Sequence, residues 1–198
     1  PPVVAVIDSG IYYTHPDLSA ALWGNPNEIP GDEVDDDGNG YIDDYYGYSF
    51  VNGNAEVLDP DNHGTHIAGT IAATGANQQG MVGVSRYTRI MALAVSTPDG
   101  EFTTSAILEA LDYALAMKHR GVNLVAINGS YAGGGSSTAE REAIRSLGNA
   151  GVIFCAAAGN AATNDDAQPT YPASYRLPTL ITVAATDQDD NLAEFSNY

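Results

Sequence analysis

The chain is short of several things, and each shortage narrows what it can be. It has one cysteine, Cys155, so no internal disulfide is possible. That residue sits in the apolar run Val152-Ile153-Phe154-Cys155-Ala156, which favours a buried small hydrophobe over a nucleophile. Basic residues are scarce: 7 Lys and Arg stand against 25 Asp and Glu, for a formal charge of −18. So negative a surface repels nucleic acid and anionic membranes as partners and favours cations, calcium above all. Most of these carboxylates read as a solvated face that keeps the protein soluble. No apolar stretch is long enough to span a bilayer, and the opening residues do not form a signal peptide, so secretion rests on function alone. What remains is a 198-residue chain, 44% apolar, with material for one domain and a sizeable core.

Short apolar runs alternate with helical patterns, the mark of parallel βαβ units. Residues Val3 to Ile7 form a strand without polar alternation, as expected when both faces of a sheet are covered, and it exits into Asp8-Ser9-Gly10. A helical pattern of small and apolar residues runs from Gly64 to Thr74, and Arg89 to Val95 is strand-like. Ile107, Leu108, Leu111, Ala114 and Leu115 recur at helical spacing within Thr104 to Lys118; Thr103, Thr104 or Ser105 caps this helix and Gly121 follows its end. A strand over Val122 to Ile127, a helix over Ala139 to Leu147 closed by Gly148 or Gly151, and strands over 152–157 and 180–185 complete the set. The predicted fold is α/β, a doubly wound, mostly parallel sheet with helices on both faces and functional sites at the carboxyl ends of strands.

Residues 25–48 break this rhythm. They are rich in acids, glycines and tyrosines and poor in apolar periodicity, which predicts an ordered surface insertion organised by metal. Within it, Asp35, Asp37, Asn39, Gly40, Tyr41 and Asp43 fit the opening of an EF-hand-type loop: oxygens at alternate positions converge on a hard cation, Gly40 permits the turn, and Tyr41 offers its carbonyl. The twelfth position is Tyr46 rather than a bidentate Glu, so Asp44 or another nearby carboxylate has to complete the shell. The expected cofactor is Ca2+.

Three strand or helix ends carry chemistry. Asp8 stands at the carboxyl end of a buried strand, where a carboxylate is costly without a partner, although such residues more often serve as caps or turn formers. His63 and His66 open a helix whose small residues allow close packing on the sheet; two such histidines can also bind metal, but the Glu of an HExxH motif is absent. Asn160 ends Ala156-Ala157-Ala158-Gly159-Asn160, as a turn residue or as an amide donor to a developing oxyanion.

Val4-Ala5-Val6-Ile7-Asp8-Ser9-Gly10-Ile11, His63-Gly64-Thr65-His66-Ile67-Ala68-Gly69-Thr70 and Ala157-Ala158-Gly159-Asn160 resemble, in this order, the Asp, His and oxyanion-Asn blocks of the subtilisin-like serine proteases, the subtilase or peptidase S8 family. The resemblance covers nearly the whole chain. It implies that His63 is the general base, Asp8 the carboxylate that orients it and Asn160 the oxyanion donor, with His66 structural. Asn128 to Gly134 resembles the segment that pairs with substrate backbone, which places Ser130, Tyr131, Ala132 and Gly133 in the cleft with Ala158 and Gly159. Gly133 and Gly134 would leave room for a substrate side chain, Ser130 lines the cleft without being a nucleophile, and Gly100 to Phe102 resembles the opposite wall. Asn77-Gln78-Gln79-Gly80 resembles the family's calcium loop after the His helix, and Asp- and Tyr-rich insertions of this kind are associated with calcium in some members.

The family's Gly-Thr-Ser-Met-Ala block, which carries the nucleophile, is not in this sequence. The expectation is a partial catalytic domain over 1–198, incomplete at its C-terminal side, with the insertion at 25–48. It would be an endopeptidase acting through an acyl-enzyme when joined by its Ser-bearing portion, and inactive by itself. The alternative is a noncatalytic, calcium-stabilised peptide-binding module; the retained Asp8, His63 and Asn160 favour the enzyme. A dinucleotide-binding enzyme is set aside because no GxGxxG follows a strand. Expected partners are a polypeptide substrate and a propeptide or the C-terminal portion, in an extracellular setting where free calcium is plentiful.

Overall fold

The computed structural model describes residues 1–198 except 79, 98 and 134, so the expectations for Gln79 and Gly134 lie outside the described residues. Two compact units divide the chain, residues 1–125 and 126–198.

In the first unit, β1 (Val3–Asp8), β2 (Gly47–Ser49), α1 (His63–Ala72), β3 (Arg89–Ala94) and α2 (Thr104–His119) follow one another. All three strands are parallel, with β3 between β2 and β1. Asp8 lies opposite Ala94 and Val6 opposite Ala92, so the carboxyl ends of β1 and β3 are level. The side chains of Val6, Ile90 and Ala92 pack in one cluster with Ala68 and Ala72 of α1. The alternate set, Ala5, Ile7, Met91 and Leu93, is equally buried and turns to the other face, as strand periodicity requires. Burial on both faces explains the unbroken apolar runs, each large side chain contributing about 1.5–3 kcal/mol.

The helix α1 rests on β1 and β3 through its smallest residues. Gly64, Ala68, Gly69 and Ala72 are buried and share one face. Helix α2 is capped by Thr103, whose hydroxyl oxygen accepts from the Ala106 N–H at 3.3 Å, and Gly121 follows it at φ 98. Strand β2 was not expected, since Gly-Tyr-Ser has no strand signature. It forms because Gly47, at φ 124, lets the chain come close to β3; a Cβ there would lie 1.9 Å from the Ala92 carbonyl oxygen.

Strand β4 (Leu124–Gly129) starts at the end of the first unit; its residues from Ala126 on belong to the second, where α3 (Thr138–Asn149), β5 (Ile153–Ala157) and β6 (Leu180–Val183) follow and the three strands run parallel with β5 between β4 and β6. Phe154 and Ala156 are buried, whereas Ile153, Ile181 and Val183 are exposed. An unbroken apolar sequence here accompanies one-sided burial in β5 and no fully buried residue in β6, unlike in β1 and β3. No helix among the described residues is long and apolar enough to cross a membrane.

Candidate active site and acidic cluster

Asp8 ends β1 fully buried, and its Oδ1 is 2.7 Å from Nδ1 of His63, the first residue of α1. The same oxygen accepts from the Ser9 N–H at 2.7 Å, while Oδ2 is buried without a hydrogen-bond partner among the described residues. Burial pushes the Asp8 carboxyl up against the lowering effect of the His63 and Ser9 hydrogen bonds. For His63, burial opposes the charged ring, but the hydrogen bond and charge of Asp8, followed by Asp61 and Asp59, outweigh it and hold the imidazole above its ordinary value. The ring is anchored at Nδ1, and the His63 side chain is 52% exposed.

The position of His63 follows from how α1 begins. The first N–H groups of a helix have no intrahelical acceptor. Here the His63 N–H donates to Asp61 Oδ1 (2.8 Å), the Gly64 N–H to Ser9 Oγ (3.0 Å) and the Thr65 N–H to Asp59 Oδ2 (2.8 Å). Asp59 also accepts from the hydroxyls of Thr65 (2.5 Å) and Ser9 (2.9 Å). Despite its burial, these bonds hold the Asp59 carboxyl below its usual range. Ser9 has a single hydroxyl hydrogen for two carboxylates, with Asp59 at 2.9 Å and Asp8 at 3.1 Å. Asp59 therefore anchors both the helix start and the neighbour of Asp8. Sequence reasoning missed it, although Asp59-x-Asp61 four and two residues before His63 is a capping pattern.

In the second unit, a cavity of about 250 Å3 brings together Asn128, Ser130, Cys155, Ala158, Gly159 and Asn160. The Asn128 amide donates to Ser130 Oγ at 2.8 Å, and Asn160 is exposed. Gly133 pairs with Tyr171 through two backbone bonds of 2.8 Å, exposed Ala132 precedes it, and the Tyr131 hydroxyl donates to Glu140 Oε1 at 3.0 Å. Cys155 is half-buried, and burial pushes its thiol up, which disfavours the thiolate. In the first unit, Gly100 at φ 83 and Phe102 belong to a small turn beyond β3, closed by a bridge between Ser96 and Phe102.

The insertion uses its acids in two ways. Asp35 accepts from the Asn39 and Gly40 N–H groups, and Asp43 from those of Gly31, Asp32 and Glu33, so both carboxylates hold loop backbone. Glu28, Asp37 and Asp44 instead each place an oxygen within 4.8 Å of the others. Asn39 donates its amide to Asp44 at 2.8 Å, and Tyr41 packs edge-on against Tyr48, Phe50 and Tyr113. Separately, Asn77 donates to Asp17 Oδ1 at 2.8 Å, and the Met81 N–H to Asp17 Oδ2 at 3.0 Å. The Met81 N–H and the Asn77 amide hold this buried carboxyl below its usual range. Glu28 and Asp17 escaped the sequence reading because each lies outside the motif it joins in space.

Residues 2–198 match the subtilase family of peptidases, S8. The chain is 37% identical over 158 residues to subtilisin-like protease 1 of Plasmodium berghei (strain Anka), covering 79% of this chain and 26% of that protein. It is 35% identical over 195 residues to a thermophilic serine proteinase of Bacillus sp. (strain AK1), covering 98% of this chain and 41% of that protein. The crystal structure of a cold-adapted subtilisin-like serine proteinase superposes with a TM-score of 0.73 at 28% identity, over 99% of this chain and 59% of the other. The chain thus spans well under two thirds of the length of these relatives. A match along almost every residue and a shared parallel α/β architecture lead to one assignment: the chain belongs to the subtilase family of serine peptidases.

Proposed function

We propose that this chain supplies the acid–base pair and oxyanion donor of a serine endopeptidase whose nucleophilic serine is carried by polypeptide outside these 198 residues. The observation that carries the proposal is the 2.7 Å contact between His63 Nδ1 and the buried Asp8 Oδ1, with about half of the His63 side chain exposed (52%). Asp8 fixes the Nδ1–H tautomer, leaving Nε2 to take the serine proton and later return it to the leaving amine. The imidazolium formed in between is stabilised by the same carboxylate. Asn160 donates its side-chain amide to the carbonyl oxygen as charge develops. Ser130, Tyr131, Ala132 and Gly133 pair with the substrate main chain; Ala158, Gly159, Gly100 and Phe102 contribute pocket walls. The cofactor of this reading is calcium, a structural ion for the 25–48 insertion and for the loop joining Asn77 to Asp17. The setting is extracellular, the substrate a polypeptide, and a propeptide or C-terminal portion a further partner.

The test is a fluorophosphonate probe on the protein that includes the serine. Labelling and peptide hydrolysis should both fall by several orders of magnitude in His63→Ala. Undiminished hydrolysis in that variant would end the proposal.

A further inference from the structure

The geometry points to Glu140 as a positioning residue that holds the substrate-pairing segment in shape, acting through the hydroxyls of Tyr131 and Tyr175. This role rests on the reading of Ser130 to Gly133 as that segment, and it adds a residue of α3 to the segment's supports. Every group involved lies in the second unit.

Glu140 is 7% exposed, and no cation pairs with it among the described residues: Arg141 and Arg145 of the same helix both pair with Glu142. A carboxylate buried in this way is costly unless its oxygens find donors. Both do. Oε1 accepts from the Tyr131 hydroxyl at 3.0 Å and Oε2 from the Tyr175 hydroxyl at 2.8 Å, and the dipole at the amino end of α3 favours the negative charge.

Local sequence explains why one of these oxygens is available to Tyr131. Ser137-Thr138-Ala139-Glu140 is a capping box, in which the Glu at the third helical position ordinarily reaches back to the N–H of the cap residue. Half of the box is made, with the Glu140 N–H donating to Ser137 Oγ at 3.3 Å. The other half is opened. The Ser137 N–H donates instead to the Tyr175 hydroxyl at 2.8 Å, and that hydroxyl stands between it and the carboxylate. The Tyr175 oxygen is also 2.9 Å from the Ser137 carbonyl, but it has one hydrogen, and the charged carboxylate is the stronger acceptor. Because Tyr175 serves the cap N–H, Oε1 of Glu140 is left to accept from Tyr131.

The two tyrosines support the segment at both ends. The Tyr131 ring lies against the end of β4, where a Cβ on Gly129 would come within 3.1 Å of Tyr131 Cε1, so the ring is held at its edge by Gly129 and at its tip by Glu140. Burial, with Glu140 adding to it, pushes the Tyr131 phenol well above its ordinary pKa, and the hydroxyl stays a donor through the neutral range. At the other end, Tyr175 packs at a tilt on Tyr171 with 4.8 Å between ring centroids, and Tyr171 makes the two backbone bonds to Gly133. A segment that pairs with substrate as an added strand binds more tightly when its backbone is ordered beforehand, since ordering it on binding costs affinity.

The experiment measures hydrolysis of fluorescein-labelled casein and amide hydrogen exchange on the protein that includes the serine, as wild type, Tyr131→Phe, Glu140→Leu, Glu140→Gln and Ser137→Ala, with melting temperatures alongside. Tyr131→Phe and Glu140→Leu should raise KM by about fivefold or more with kcat within about twofold, and the Gly133 and Tyr171 amides should exchange about tenfold faster. Glu140→Gln should return KM to within about twofold of the wild type, because its amide oxygen can accept from Tyr131 and its amide nitrogen can donate to Tyr175. Ser137→Ala removes only the cap acceptor and should melt lower with KM unchanged. A wild-type KM, or wild-type exchange at Gly133 and Tyr171, in Tyr131→Phe and Glu140→Leu would overturn this role, whatever their melting temperatures, and leave the protease reading standing. No casein hydrolysis by the wild type would overturn both.

Discussion

Replacing Gly64 by alanine should loosen the Asp8–His63 contact without touching either residue. Gly64 follows His63 in α1, and a Cβ built on it would lie 2.2 Å from the Gly10 carbonyl oxygen, 3.0 Å from Asp8 Cβ and 3.1 Å from Asp8 Oδ1. In an exposed helix the change would stabilise by up to about 1 kcal/mol. Here the nearest atom is backbone, so α1 has to retreat from the end of β1 by roughly 1 Å, an overpacking that typically costs about 1–3 kcal/mol. The net expectation is a loss of about 1.5 kcal/mol, or roughly 3–6 °C in melting temperature for a chain of this size. The same retreat stretches the 2.7 Å contact beyond hydrogen-bond range and lets the His63 pKa fall toward its ordinary value. Thermal melting and a histidine NMR titration read the two effects. A variant that melts at or above the wild type with an unchanged His63 titration would refute the reasoning.

Two other substitutions probe the supports around the site. Asp59→Ala strips the acceptor from the Thr65 N–H and from the Thr65 and Ser9 hydroxyls, and should destabilise by about 1–3 kcal/mol in denaturant titration. Because its folded pKa lies below that of an unfolded aspartate, the Asp59 contribution is present above about pH 4. It fades as pH falls through the folded value, so the gap between wild type and variant should close in acid. In the second unit the Tyr175 hydroxyl lies 2.8 Å from Glu140 Oε2 and accepts from the Ser137 N–H at 2.8 Å. Burial, with Glu140 adding to it, pushes its pKa up to about 12 against the lowering effect of the Ser137 backbone. Tyr175→Phe should cost about 1–3 kcal/mol, and an ultraviolet titration should lose a late-ionising tyrosine.

The elements legible in the sequence were those whose signal is local. Continuous apolar runs located β1, β3, β4, β5 and β6, and helical spacing located α1, α2 and α3; burial on both faces imposes the runs of β1 and β3, whereas β6 carries its run with no buried residue. Strand β2 was illegible: three residues, one a glycine, form it only because β3 lies alongside. The pairing of Asp8 with His63 was legible because both belong to compact blocks, whereas the Asp59 and Ser9 bonds that hold them join segments 50 residues apart. In the insertion the alternating acids were plain, but their division of labour was not. Asp35 and Asp43 bind backbone, while Glu28, from outside the pattern, is folded inward beside Asp37 and Asp44. Which backbone N–H groups and which carboxylates the folded loop brings together decides that division, and that is a property of the fold.

The central claim, that a buried carboxylate governs the His63 imidazole, is tested most directly by NMR titration of His63 in the wild type and in Asp8→Asn. A folded pKa raised above about 6.5 implies that the pair stabilises the protein fully below that value and less as pH rises through the folded pKa. The wild-type ring should therefore titrate above its ordinary value and the variant's clearly lower. Equal values in the two proteins, or a wild-type value below that of an unperturbed histidine, would contradict the account.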